Sequence, residues 1–247
     1  MRYFIELAYN GKLYHGWQNQ PNAISVQEVI ENALSTILNE TVSVMGAGRT
    51  DAGVHASQMF AHFDTDINLS QSNLVFKLNS FLPSDIAIQE IFNVKPEAHT
   101  RFDALSRTYV YRIGLVKNVF NFENTYFVKQ NLDVNKMNEA AKILFEYKDF
   151  QCFSKSNTDV KTYYCDIMKA EWFFKADELH FEIKANRFLR NMVRAIVGTM
   201  INIGLGKIKV EELHQIIQSK SRSEAGFSVP AHGLYLTKIE YPEEIRL

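Results

Sequence analysis

Cysteine is scarce in this chain. Cys152 and Cys165, thirteen positions apart, stand without a CxxC pair or a cysteine–histidine cluster. That argues against a zinc site and against a disulfide framework, and it fits a reducing compartment. As core thiols they are expected to be inert. An excess of charge is missing too. With 27 basic and 28 acidic residues, bulk electrostatics neither announces nor excludes a nucleic-acid partner, so any basic surface must be local. No apolar run reaches membrane-spanning length, and the N-terminus starts directly in Arg2-Tyr3-Phe4-Ile5-Glu6-Leu7 with no basic-then-apolar leader, so a cytoplasmic protein is expected. Nucleotide loops are absent as well. Gly206-Lys207 lacks a glycine five positions earlier and a following Ser or Thr, and the Gly46, Gly48, Gly53 spacing fails the dinucleotide fingerprint.

What is present is enough apolar material, 46% hydrophobic and 13% aromatic over 247 residues, for a full core in one large domain or two tightly joined halves. Arg2–Tyr9 alternates with Tyr3, Ile5, Leu7 and Tyr9 on one face, which reads as a half-buried strand. Ser25-Val26-Gln27-Glu28 has the form of a capping box, and Val26, Ile30, Ala33, Leu34, Ile37 and Leu38 recur at helical spacing up to about Asn39. A strand over 41–45, a loop, a strand over 57–63, a helix opened by Ser70 and stopped by Pro83, and a strand over 85–94 complete a β-α-β-β-α-β order. That second helix has Leu74, Val75, Leu78, Phe81 and Leu82 apolar.

The order then repeats. A strand over 108–115 precedes a helix capped by Asp133, with Val134, Met137, Ala140, Ala141, Leu144 and Phe145 apolar. A polar connection over 153–161 leads to strands 162–174 and 179–185 around a turn at Ala176-Asp177-Glu178. The stripe Phe188, Leu189, Met192, Val193, Ile196, Val197, Met200 and Ile201 predicts a helix ended by Gly204 and Gly206. A short helix over 210–218 and a strand over 234–241 follow. The expected fold is α+β. Two ferredoxin-like halves related by a pseudo-twofold, 1–105 and 106–247, would join into one mainly antiparallel sheet with helices on one side.

The densest local signal is Ala47-Gly48-Arg49-Thr50-Asp51-Ala52-Gly53-Val54-His55-Ala56, a loop between two predicted strands. Its glycines tolerate positive φ, and its alanines let another surface approach the backbone. Asp-Ala-Gly is ordinary turn chemistry, yet Arg49 and Asp51 are also where such a loop would show charge to a ligand. Arg187, Arg190 and Arg194 fall at i, i+3 and i+7 of the predicted helix. This stripe is either a solvated face or a set of cations with partners elsewhere, because helix starts are unfavourable for positive charge. His55 and His62, beside the loop, read as packing or backbone hydrogen-bond residues.

AGRTDAGVHA resembles the catalytic loop of the tRNA pseudouridine synthase A family. Further likeness runs through Gly16-Trp17-Gln18, Val26-Gln27, Leu78-Asn79 with Leu82-Pro83, His99 with Arg101-Phe102, Arg107-Thr108-Tyr109-Val110-Tyr111, Asn186-Arg187-Phe188-Leu189, Met192-Val193-Arg194 and Gly233-Leu234-Tyr235-Leu236. The motifs keep the family's order over nearly the whole length. Two positions depart from it. Thr100 stands where the pattern usually has alanine, and Phe153-Ser154-Lys155 has no arginine where many members carry one. Both put substrate contacts in doubt more than the reaction.

The resemblance implies isomerisation of uridine to pseudouridine at positions 38 to 40 of the tRNA anticodon stem-loop, in an active-site cleft between the halves, with no metal or cofactor. It implies Asp51 as nucleophile, Arg194 as its ion-pair partner and Tyr109 as the platform stacked on the target base. Arg49 would fill the gap left by a flipped nucleotide, and Arg101, Arg187 and Arg190 would contact phosphates. The chemistry is coherent, because a buried carboxylate tends to take up a proton and an adjacent guanidinium reverses that. By periodicity alone Tyr109 or Tyr111 could be the platform. Attack at the sugar anomeric carbon and at carbon 6 of the uracil both remain open. A homodimer, with one tRNA touching both subunits, is the family expectation.

Two other classes deserve weight. A non-catalytic RNA-binding protein could stack bases on Tyr109 and Tyr111, although no RNP1-like run of aromatics beside Lys or Arg is present. A nucleoside or glycoside hydrolase could use the same aspartate, but it wants a second carboxylate, and Asp64 and Asp66 lie beyond the following strand.

Overall fold

A computed structural model describes residues 1–156 and 160–247, so residues 157–159 of the predicted polar connection lie outside the described residues. In chain order the elements are β1 (Arg2–Tyr9), α1 (Val26–Leu38), β2 (Met45–Gly46), β3 (His55–Asp64), α2 (Gln71–Phe81), β4 (Ile86–Val94), β5 (Ser106–Gly114), β6 (Tyr126–Phe127), α3 (Val134–Ile143), β7 (Ile167–Lys175), β8 (Glu178–Ala185), α4 (Met192–Gly204), α5 (Glu212–Ser219) and β9 (Leu234–Glu240). The fold is α+β with mostly antiparallel pairing. Two compact units divide the chain, Met1–Ser106 with Leu236–Leu247, and Arg107–Tyr235. The first follows the predicted β-α-β-β-α-β order, and the later stretch adds the two-residue β6.

In the first unit the strands lie in the order β4-β1-β3-β9, with β2 on β3. Central β1 pairs antiparallel on both sides, Tyr3 standing opposite Phe63 and Asn93. Tyr3, Ile5, Leu7 and Tyr9 are buried as their alternation predicted and Arg2, Glu6 and Ala8 are half-buried, but Phe4 on that second face is buried as completely as Ile5. The reason is an aromatic layer on the second face. The Phe4 ring meets Phe92 at 5.8 Å and Tyr241 at 5.5 Å, and Phe60 meets Tyr241 edge-on at 5.2 Å. The C-terminal stretch supplies that cover, because Arg246 grips Glu90 with two bonds and lies 3.8 Å from the centre of the Phe92 ring.

Ser25 caps α1 as expected, its hydroxyl accepting from the Glu28 amide at 3.1 Å, and Asn39 closes α1 in the left-handed region. The strand expected over 41–45 shrinks to Met45–Gly46. Backbone amides before it bond α1 side chains instead of a strand. Val42 N donates to Ser35 Oγ at 2.9 Å and Val44 N to Glu31 Oε1 at 2.9 Å. Alternation sees an extended chain and cannot tell a strand partner from a helix side chain. Phe81 and Phe145, read as parts of apolar stripes, are 55% and 49% exposed.

In the second unit β5-β8-β7 form an antiparallel run with β6 parallel to β5. The predicted strand over 162–174 begins only at Ile167. Residues before it instead bond the segment around Asp149, with Phe150 N on Tyr163 O and Cys165 N on Lys148 O. Asp133 caps α3 through the Lys136 amide, as expected. Helix α4 is buried nearly all round; within Met192–Gly204, Arg194 and Asn202 are the half-buried positions.

Candidate active site

The loop that carries Asp51 is held from below by the segment following β1. Trp17 N donates to Thr50 O at 3.3 Å, Gly53 N to Tyr14 O at 3.3 Å, and Gly11 N to His55 Nδ1 at 3.1 Å. The Tyr9 hydroxyl and Thr50 Oγ1 lie 2.9 Å apart in a buried bond. Close approach requires glycine at three places here, the first being Gly11, where a Cβ would stand 2.0 Å from Val54 O. A Cβ on Gly16, whose φ is +91°, would stand 2.3 Å from Thr50 O, and one on Gly46 would stand 2.3 Å from the Trp17 indole nitrogen. The loop closes on itself through Val54 N to Asp51 O at 3.1 Å.

Alternation of burial follows from those anchors. Thr50 and Val54 are buried, Arg49 and Ala52 are exposed, and Asp51 between them is half-buried. Asp51 thus stands on a backbone held at Thr50 on one side and at Gly53 and Val54 on the other. His55 accepts from the Gly11 amide through Nδ1, the structural part expected of it. His62 is also buried, its Nδ1 lying 2.9 Å from Thr100 Oγ1. Arg101, in the same unit, is exposed with its guanidinium 5.6 Å from the centre of the Phe102 ring.

The second unit holds the remaining residues. Tyr109, on β5, is half-buried with the Phe188 ring edge-on at 5.2 Å and 89°. Its strand neighbour Tyr111 is fully buried and donates its hydroxyl to Pro230 O at 2.9 Å, and burial raises its pKa. Tyr111 is therefore core, while Tyr109 is half-buried against Phe188.

Arg194 lies in the first turn of α4, half-buried, with Nε donating to Val229 O at 2.7 Å. The three arginines do not share one helix stripe, because α4 starts at Met192. Asn191, at φ +67°, breaks the path, and Arg187 and Arg190 sit on the irregular segment before it. Arg187 reaches Thr162 O at 3.4 Å, and the Arg190 carbonyl accepts from Lys155 N at 2.9 Å. The dipole argument thus applies to Arg194 alone.

Both cysteines are buried, and burial pushes their thiols up, Cys152 to about 12 and Cys165 to about 11, which leaves no nucleophilic thiolate at neutral pH. Among the described residues no group of three or more His, Cys, Asp or Glu could hold a metal ion, and no helix is long and apolar enough to cross a membrane. Periodicity does not reveal the clamp formed by Tyr9, Gly11, Tyr14, Gly16 and Trp17, because its partners lie about forty positions away in the loop. Its only sequence signal was the Gly11 and Gly16-Trp17 punctuation after β1.

Asp51 thus sits on a pinned loop of the first α+β unit, and Tyr109, Arg187, Arg190 and Arg194 sit on the second. A family model described as tRNA pseudouridine synthase matches residues 7–103 and 140–242, and the chain belongs to that family of isomerases acting on tRNA. Asp51, Arg49, Arg101, Arg187, Arg190 and Arg194 fall inside the matched segments, and Tyr109 falls between them.

Curated relatives narrow the resemblance to one kind of synthase. Over 247 residues the chain is 53% identical to the tRNA pseudouridine synthase A of Bacteroides fragilis, covering 99% of this chain and 98% of the relative. It is 50% identical to that of Porphyromonas gingivalis over 250 residues, with 100% and 99% covered. The same name belongs to a relative from Bacillus licheniformis, 36% identical over 245 residues, with 98% and 99% covered.

Proposed function

We propose that the chain forms pseudouridine in the anticodon stem-loop of tRNA, at positions 38, 39 and 40, with Asp51 as nucleophile on a uridine swung out of its stack. The observation that carries this reading is the half-open Asp51 on a backbone pinned through buried Thr50 and Val54. Asp51 attacks either the sugar anomeric carbon or carbon 6 of the uracil, giving a covalent adduct. The bond from N1 to the anomeric carbon breaks, carbon 5 bonds that carbon instead, the proton of carbon 5 leaves to solvent and N1 takes one up. The reaction is a net isomerisation and consumes no redox equivalent.

In this reading Arg194, from the second half, keeps the Asp51 carboxylate ionised with a planar fork that cannot lose its charge. Tyr109 stacks on the flipped uracil, returning part of the few kcal/mol lost on unstacking, with Phe188 holding the ring on edge. Arg49 enters the vacated space in the stem, and Arg101, Arg187 and Arg190 contact phosphates. The working form is a cytoplasmic homodimer with one tRNA touching both subunits.

The test is tritium release from tRNA carrying 5-tritiated uridine. Asp51→Ala abolishes release while tRNA binding persists, and retained turnover would end the nucleophile assignment. Mapping pseudouridine in tRNA from cells with and without the protein tests the positions; release of free uracil from RNA would favour a hydrolase instead.

A further inference from the structure

Arg222 has no part in the reaction described so far, yet its side chain organises a segment that ends on Arg194. Its Nη1 donates to Gly226 O at 2.9 Å and Ala225 O at 3.4 Å, and its Nη2 donates to Ser228 Oγ at 2.8 Å. One planar fork therefore ties residues 225, 226 and 228 together. The same segment is laid flat on α4. Gly226 N donates to Thr199 Oγ1 at 2.8 Å, and the Phe227 carbonyl fills the place of a Cβ on Gly198, 1.8 Å from where it would stand. Asn191, at the start of α4, donates to the Ser228 hydroxyl at 2.8 Å.

The segment then delivers Val229, which is buried, to Arg194 at two points. Val229 N donates to Arg194 O at 3.3 Å, and Val229 O accepts from Arg194 Nε at 2.7 Å. A bond at Nε fixes the plane of a guanidinium, and a forked approach to a carboxylate works in only one plane. The carbonyl that sets this plane is itself set by residues 225–228, and these are held by Arg222.

We infer that Arg222 is a positioning residue for Arg194, acting through the 225–229 segment on the rate of pseudouridine formation. The inference rests on the reading of Arg194 as the partner of Asp51. Lysine at 222 keeps the charge but presents a single ammonium, which cannot bridge two carbonyls and a hydroxyl in one plane.

The experiment measures kcat and KM for tRNA by tritium release, with thermal melting alongside, for Arg222→Lys, Ser228→Ala, Arg194→Lys and the Arg194→Lys/Arg222→Lys pair. Arg222→Lys lowers kcat about tenfold and changes KM by less than about twofold, because a small misplacement of a catalytic partner is felt in the chemical step. Ser228→Ala lowers kcat in the same sense. The double variant is no slower than Arg194→Lys, since both changes remove one function. Wild-type kcat in both Arg222→Lys and Ser228→Ala beside a slow Arg194→Lys overturns the inference and leaves the reading of Arg194 standing. Losses that multiply in the double variant, or a loss confined to KM, overturn it also. A wild-type kcat in Arg194→Lys refutes the reading of Arg194, and the inference with it. If Arg222→Lys does not fold, Ser228→Ala carries the same comparison, as it leaves the Arg222 bonds to the carbonyls in place.

Discussion

Replacing Gly16 with alanine tests whether the segment after β1 sets the position of Asp51. The new Cβ would stand 2.3 Å from Thr50 O and 3.2 Å from the Asp51 carbonyl carbon, so that backbone must retreat by about 1 Å to reach ordinary contact. An alanine at φ +91° adds about 1–2 kcal/mol of backbone strain, and relieving the overlap adds about 1–3 kcal/mol more. The expected loss of stability is thus about 2–5 kcal/mol, read from the midpoint of urea unfolding. The expected loss in kcat is about a hundredfold, since a displacement near 1 Å in a reacting group has that effect. Gly206→Ala is the reference: φ there is +70° but no atom lies within 4 Å of the added carbon. Strain alone should lower its stability by about 1 kcal/mol and leave kcat untouched. If Gly16→Ala loses stability as stated but keeps kcat within about threefold, the clamp does not position the carboxylate and the argument fails.

Acid should weaken the first unit through His62. Burial, then the nearby positive charges of Arg2 and His99, lower its pKa from 6.5 to about 4. A histidine depressed in this way stabilises the fold while neutral, above 6.5, and that contribution is lost as pH falls toward 4. His62→Gln should flatten the stability profile over that window, and an unchanged slope in urea titrations would refute it. Cys152 and Cys165, with thiols pushed up to about 12 and about 11, should ignore a thiol reagent at pH 8 until the chain is unfolded in guanidinium. Rapid labelling of either in the native protein would contradict their burial. Tyr9→Phe removes the buried hydroxyl pair with Thr50 and should reduce stability by about 1 kcal/mol, measured by thermal melting.

How much of this could be read in advance depended on range. The Ser25 and Asp133 caps, the stop at Pro83 and the loop around Asp51 are written within a few residues of where they act, and each appears as expected. Helix α4 shows the opposite. Its apolar stripe runs back through Phe188 and Leu189, and Leu189 is buried, so periodicity continues past the true start. The break is the positive φ of Asn191, whose side chain is bonded to Ser228, thirty-seven positions away. The same holds for Val42 and Val44, whose partners on α1 no alternation could reveal, and for Phe4, buried by Tyr241 from the far end of the chain.

The amino-acid sequence by itself determined the α+β order, the helix caps and the residue types offered for chemistry, because each depends on torsional preference and periodicity within one or two turns of chain. Tertiary structure alone decided that Tyr111 is core while Tyr109 stays half-buried, that Arg187 and Arg190 leave the helix of Arg194, and that Trp17 and Gly16 grip the backbone beside Asp51. The physical reason is that burial and hydrogen-bond partners are set by groups distant in sequence, and a backbone donor pairs with whatever acceptor the packed core brings to it.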